Sequence, residues 1–267
     1  MIHLRSFTFR EEVKQGNGYP FHLPLVQTFE GLEFQAPVVF FVGENGSGKS
    51  TLMEAIACSV NLPTVGAESV KTDPTLFHIR ELAKYAKVTW SKRVQRGFYL
   101  RAEDFFGYAK QVNTTRSELE AELRRVDSEY ANRSRFAYQQ ARTPFVGQLS
   151  DIEHRYGNGL DAQSHGESFL KLFQSRFVPG GLYLLDEPEV PLSPLRQLSL
   201  LSMLREMEKQ DAQFIIATHS PILMAYPGAI IYNFDRLPPE ITAYDELEHV
   251  KLTRDFLANP NMFLRHL

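Results

Sequence analysis

Residues 37–51 read PVVFFVGENGSGKST. Pro37–Val42 is a short, wholly apolar run rich in β-branched and aromatic side chains, the pattern of a central parallel strand buried on both faces. It runs into a glycine-rich turn, and Thr51–Val60 follows with helical spacing. Residues 43–50 fit the phosphate-loop pattern G-x-x-x-x-G-K-[ST] through Gly43, Gly48, Lys49 and Ser50. The glycines let the backbone wrap close to phosphate, and the loop amides form an anion nest at a helix N-terminus. On this reading Gly43, Asn45, Gly46, Ser47, Gly48, Lys49, Ser50 and Thr51 hold a nucleotide. Lys49 reaches the β- and γ-phosphates and assists the chemistry, and Ser50 holds Mg²⁺. The plain alternative, a glycine turn before a helix with a solvated lysine, leaves the flanking strand unexplained.

Two further apolar runs end in polar residues. LYLLDE at 182–187 places Asp186 and Glu187 at the C-terminal end of a buried strand, the edge at which open α/β sheets take their ligands. Asp186 then suits Mg²⁺, and Glu187 suits the general base that polarises an attacking water. Taken alone, two acids before Pro188 could simply cap a turn. FIIATHS at 214–220 ends in Thr218, His219 and Ser220, which puts His219 beside a γ-phosphate as donor or water-orienting group. Taken alone, it could be an ordinary polar residue at a strand end.

The rest of the chain frames these motifs. It has 267 residues, 43% hydrophobic and 23% charged, which suits one or two folded domains and excludes disordered or collagen-like classes. Lys and Arg number 29 against 32 Asp and Glu, a net charge of −3, so a globally basic nucleic-acid coat is excluded and any such contact is local. The single cysteine, Cys58, fits a reducing cytoplasm. Met1–Lys14 lacks the apolar core of an export signal. Ala212–Phe234 carries no Asp, Glu, Lys or Arg, but Pro221, Pro227 and its polar centre divide it into two short strands, Phe214–Ala217 and Ala229–Tyr232, rather than a membrane span. Ile2–Phe9 and Gly97–Ala102 also read as strands. Leu195–Gln210 reads as a helix, and so does Ser117–Tyr130, opened by a capping box of Ser117 with Glu120. Strands alternating with helices predict an α/β fold with a mostly parallel central sheet.

The phosphate loop at 43–51, LLDE at 184–187 and THS at 218–220 resemble the ABC-type ATPase superfamily in order and approximate spacing. SHGES at 164–168 starts 22 residues before Asp186, where that family has its signature motif. Ser164 and Gly166 match the family's serine and glycine, while His165 and Glu167 depart from the commonest transporter form. The resemblance implies that Ser164 and Gly166 contact the γ-phosphate of an ATP held by the other subunit. Taken alone, SHGES could be a helix cap with Ser164 and Glu167 as its box; its position before the second carboxylate strand favours the signature reading. Glu189–Ser193 stands where the family has its D-loop. Glu103, or Arg101, stands near the family's Q-loop glutamine, and Tyr19 and Phe21 are candidates for its adenine-stacking aromatic. SHGES, DEPE at 186–189 and ATHSP at 217–221 bring the chain nearer to stand-alone predicted AAA-family ATPases related to RecF and the SMC-like ATPases than to transporter subunits.

The resemblance spans residues 1–235 or so. It implies a P-loop NTPase fold of ABC-ATPase type over residues 1–267, with a small helical lobe at approximately 104–175 that ends in the signature. The gap between Thr51 and Ser164 is too short for the long coiled coil of those relatives. The implied activity is Mg²⁺-dependent ATP hydrolysis by a head-to-tail homodimer that sandwiches ATP, coupled to an unknown protein partner, with nucleic-acid maintenance or defence as one role. The alternative is the nucleotide-binding subunit of an ABC transporter working with a separate membrane protein. Arg116, Arg124, Arg125, Arg133 and Arg135 form the one evident basic cluster for nucleic acid, though i,i+4 pairs on a solvated helix account for it more simply.

Overall fold

The computed structural model describes residues 1–65, 69–101, 104–131, 133–156 and 165–265. The strands are β1 (Leu4–Phe9), β2 (Leu32–Glu33), β3 (Val38–Val42), β4 (Ala86–Trp90), β5 (Gly97–Leu100), β6 (Leu182–Asp186), β7 (Gln213–Ala217), β8 (Ile230–Asn233) and β9 (Glu240–Ile241). The helices are α1 (Pro24–Thr28), α2 (Lys49–Val60), α3 (Phe77–Ala83), α4 (Asp104–Glu129), α5 (Arg135–Tyr156), α6 (His165–Arg176), α7 (Pro194–Lys209), α8 (Pro221–Met224), α9 (Glu248–Ala258) and α10 (Pro260–Leu264).

The main sheet has the order β5-β6-β7-β3-β8-β9 and is parallel except for β9. All five residues of β3 are buried, because successive side chains enter opposite faces and both faces are covered. Val39 and Phe41 share one core with Leu52, Met53 and Ile56 of α2 and Phe7 of β1. Val38, Phe40 and Val42 share the other with Phe169 and Phe173 of α6 and Leu200 and Leu204 of α7. That double burial is why the run carries no polar alternation, and it makes the fold the mostly parallel α/β sheet that the sequence predicts.

A second, antiparallel sheet, β2-β1-β4, lies over the first core. Only β1 was legible beforehand. The two-residue β2 is too short to leave a pattern, and β4 is half-exposed along its length. The Gln213 side chain ties β1 to the main sheet: its Oε1 accepts the His3 and Leu4 amides, each at 2.8 Å, and its Nε2 donates to the Leu4 carbonyl at 2.9 Å. A buried amide is tolerated when both its ends are satisfied in this way. The charge-free stretch 212–234 forms β7, α8 and β8, and among the described residues no helix is long and apolar enough to cross a membrane.

Residues 104–176 carry α4, α5 and α6, with α4 and α5 packed together as a helical hairpin. The expected helix start at Ser117 is corrected. Ser117 is an exposed interior residue of α4, which begins at Asp104. Val112, Leu119 and Val126 are all buried, and their seven-residue spacing draws one apolar stripe along the helix. That stripe starts upstream of Ser117 and overrides the local capping signal. At about 1.5 Å per residue, the 26 residues of α4 are about 39 Å long, a longer arm than the predicted helix.

The arm is fastened at its root. Arg101 follows β5, and its guanidinium reaches Asp73 Oδ2 at 2.7 Å, Asp104 Oδ1 and Oδ2 at 3.0 and 3.1 Å and Thr75 Oγ1 at 3.2 Å. The carboxylates hold its charge firmly in place although burial opposes it. Arg101 is therefore committed to an ion-pair network. Removing one partner of a buried pair typically costs about 3–5 kcal/mol. Arg101→Ala is expected to lower the unfolding free energy by about 3 kcal/mol in guanidinium titrations, and a loss below about 1 kcal/mol would show that the network does not secure the fold.

Candidate nucleotide-binding site

The phosphate loop joins the end of β3 to α2. Gly43, Gly46 and Gly48 have φ of 145°, 85° and 98°, conformations that cost other residues dearly. Gly48 is also crowded: a Cβ there would stand 2.5 Å from Leu25 Cδ2 of α1. The α2 N-terminus has no side-chain cap, which leaves its first amides and the positive end of the helix dipole for an anion. Lys49 is buried, and its ammonium donates to the Gly43 carbonyl at 2.6 Å, the Glu44 carbonyl at 2.9 Å and Ser47 Oγ at 3.5 Å. Burial lowers its pKa, opposed by Asp186, Glu187, Asp235 and Glu44. Asn45 is exposed at the loop tip, and Thr51 lies in the first turn of α2.

Asp186 is the last residue of β6 and is buried. Burial pushes its carboxyl up to about 6; a hydrogen bond from Ser50 and the charge of Lys49 pull the other way, while Glu187 adds to the rise. Its Oδ1 is buried with no hydrogen-bond partner. A carboxylate and a hydroxyl with an unused buried oxygen fit Mg²⁺, a hard cation commonly held by one or two carboxylates with phosphates and water completing its shell. Glu187 turns the chain with φ of 49°, and its amide donates to the Ala217 carbonyl at 2.9 Å. This left-handed step costs a non-glycine residue about 1–2 kcal/mol. It brings Glu187 Oε1 to 3.6 Å from His219 Nε2, with both side chains partly exposed.

Glu189 supports that pair in a role its sequence position did not reveal. Its Oε1 accepts the His219 amide at 2.7 Å, and the Thr218 hydroxyl also donates to it. Burial raises its pKa despite these bonds. Asp235 is a second group for which no motif gave a signal: its Oδ1 accepts the Glu44 amide at 2.6 Å.

The structure thus brings Lys49, Ser50, Asp186, Glu187 and His219 to one edge of the sheet. Ser164 and Glu103 lie outside the described residues. Gly166 is in the first turn of α6, which packs against α5 and α7, and Glu167 beside it is paired with Arg196 at 2.7 Å. Phe21 packs edge-on against Tyr85 and fills the space beside Gly16, so it serves packing. Tyr19 is 48% exposed, with His22 and His78 at its ring edges.

The raised Asp186 pKa has a consequence for stability. Between about 4 and about 6 the folded chain holds a proton that the unfolded chain has released, so stability falls as pH rises through that window. The full penalty, above pH 6, is about 3 kcal/mol for a shift from 3.8 to about 6. Asp186→Asn removes the charge and is expected to stabilise the protein by about 1–3 kcal/mol at pH 7.5 in urea titrations. The gain should vanish near pH 4, and a destabilised variant at pH 7.5 would refute the assignment of a strained buried charge.

The family model described as "AAA domain, putative AbiEii toxin, Type IV TA system" matches residues 107–225. The chain is similar to the macrolide export ATP-binding/permease protein MacB of Pectobacterium atrosepticum, with 25% identity over 220 residues, 78% of this chain and 31% of that protein. It is similar to the ribose import ATP-binding protein RbsA 2 of Burkholderia ambifaria, with 24% identity over 181 residues, 67% of this chain and 32% of that protein. It therefore spans roughly a third of the length of these relatives. Among solved structures it matches the Smc head domain of Pyrococcus furiosus, solved with an extended coiled coil and the C-terminal domain of ScpA. That match has 11% identity and a TM-score of 0.45, and covers 96% of this chain and 100% of that one. The family match, which takes in LLDE and THS, and the curated relatives make the chain similar to ATPase domains of the AAA and ABC types.

Proposed function

We propose that this chain binds ATP with Mg²⁺ and hydrolyses the γ-phosphoryl bond. The observation that carries this reading is the gathering of Lys49, the bonded Ser50 and Asp186, and the Glu187–His219 pair at one sheet edge. The amides of Gly46–Thr51 and the α2 N-terminus take the phosphates. Lys49 exchanges its loop carbonyls for β- and γ-phosphate oxygens. Ser50 and Asp186 hold Mg²⁺, which when bound neutralises the charge that develops on the phosphates. Glu187 accepts a proton from the attacking water, and His219 donates to the γ-phosphate or orients that water. Ser164 and Gly166 of a second copy close the site from the other side in a head-to-tail dimer.

The partner process is read as nucleic-acid maintenance or defence within the cytoplasm, delivered through a protein partner or the second copy. The family description, which names a toxin–antitoxin system, is in keeping with defence. The similarity to transport ATP-binding proteins favours a second reading, a nucleotide-binding subunit that acts with a separate membrane protein. Arg116 is paired with Glu120 and Glu153, and Arg125 with Glu122 and Glu129, which weakens the case for these two as a nucleic-acid face.

Glu187→Gln is expected to reduce steady-state ATP turnover at least about 100-fold while leaving the nucleotide Kd within about threefold, and to shift the ATP-bound protein to a dimer on size-exclusion chromatography. Turnover at the parental rate would remove Glu187 from the chemistry. A phosphate-release assay with DNA, RNA or lipid vesicles added separately, and Lys49→Ala as the blank, separates the partner classes. Stimulation by vesicles with a co-purified membrane protein supports the transport reading, and stimulation by nucleic acid supports the first.

A further inference from the structure

We propose that Asp235 is a positioning residue for ATP binding: it holds the first turn of the phosphate loop through the Glu44 amide. The inference rests on the nucleotide-site reading above. Asp235 lies two residues past the end of β8, and its place is set by the sheet. β8 pairs with β3 up to Val42 and Asn233. One further rung, from the Phe234 amide to the Val42 carbonyl at 2.7 Å, carries the pairing to the last residue before the loop. Phe234 is buried against Phe41, with ring centres 4.9 Å apart. The Asp235 amide is in turn bonded to Asn233 Oδ1 at 2.9 Å. The carboxylate therefore starts from a fixed backbone, and its Oδ1 accepts the Glu44 amide at 2.6 Å.

This contact also gives Gly43 a specific reason to be glycine. A Cβ at 43 would stand 2.9 Å from Asp235 Oδ1 and 3.1 Å from both the Asp235 nitrogen and Ser47 Oγ. The carboxylate and the absent side chain share one space. Glu44 is held from both ends, its amide by Asp235 and its carbonyl by the Lys49 ammonium. When Lys49 turns to phosphate, Asp235 still holds the Glu44 amide, while the Glu44 carbonyl keeps only the Ser47 amide at 3.2 Å. A charged acceptor makes this bond stronger than a neutral one, and the exposure of the site keeps its effect modest. Its role is to spare the loop the ordering cost of taking its binding shape.

The test uses the full chain with Mg²⁺ and ATP. Asp235→Ala is expected to raise KM and Kd for ATP about five- to tenfold, with kcat within twofold of the parent. Asp235→Asn keeps an oxygen acceptor and removes a charge that repels phosphate, so its KM should stay within about threefold. A KM unchanged in the alanine variant would overturn the inference, as would an asparagine variant as impaired as the alanine one. Amide hydrogen exchange of the parent protein gives a reading that needs no variant: the Glu44 amide should be protected, and exchange at a free-loop rate would overturn the contact itself. If the parent binds no ATP while the Glu44 amide is protected, the nucleotide-site reading has failed, and the role proposed for Asp235 goes with it.

Discussion

Asp186 of β6 pairs with Ala217 of β7, Ala217 with Phe41 of β3, and Phe41 with Tyr232 of β8. Four strands thus cross a single row of the ladder side by side. Parallel pairing makes them all leave that row in the same direction, and register in a doubly buried sheet cannot slip, because a one-residue shift would turn every side chain to the wrong face. What lies just past the row is therefore gathered by geometry: Glu187 from β6, Thr218 and His219 from β7, Gly43 from β3 and Asp235 from β8. The site is assembled from segments up to 191 residues apart, yet only the row has to be correct for them to meet.

The same row explains the cost that the site carries. Asp186 is inside it and therefore buried with a negative charge; Lys49 is buried at the first position of α2, directly after the loop. Neither charge is fully solvated, and each is supported by neighbours rather than by water: Lys49 by the Gly43 and Glu44 carbonyls, Asp186 by Ser50. Added to the left-handed step at Glu187, these are local departures from the most stable arrangement in an otherwise regular sheet. Such departures cluster where a protein has chemistry to do. They are compensated by two apolar cores that enclose β3 on both faces.

This division also governs how much could be read from the sequence. The buried strands and the groups that follow them were legible, because each is a short run in which apolar residues give way to Gly43, Asp186 or Thr218 within one step. Partners contributed from a distance were not. Nothing local marks Asp235 as a neighbour of Glu44, or the Glu189 carboxylate as the acceptor for His219, since each depends on where a different strand delivers its end. Arg101 shows the same limit in reverse. Its position after β5 suggested a place at the site, whereas the fold supplies Asp73 and Asp104, and these commit its guanidinium. At Ser117 a good local signal lost to a longer-range one, the apolar stripe from Val112 to Val126.

The helical arm follows from the same weighing of local against distant forces. Its surface carries many opposite charges, among them Arg116 with Glu120 and Arg125 with Glu122. Exposed pairs of this kind are worth at most about 1 kcal/mol each, so they decorate the hairpin more than they hold it. The seam of Val112, Leu119 and Val126 is buried, and burying such side chains contributes about 1.5–3 kcal/mol apiece. At the root, Arg101 joins Asp104, the first residue of α4, to Asp73 on the core, and the side chains of both acids are under a tenth exposed. The arm is therefore stiffened along its length by apolar packing and fixed at its base by charge. That base adjoins the end of β5, the strand paired with β6, which carries Asp186. Apolar contact suits the length because it is continuous along the seam. A buried, directional ion pair suits the base because there a single orientation of the helix has to be specified.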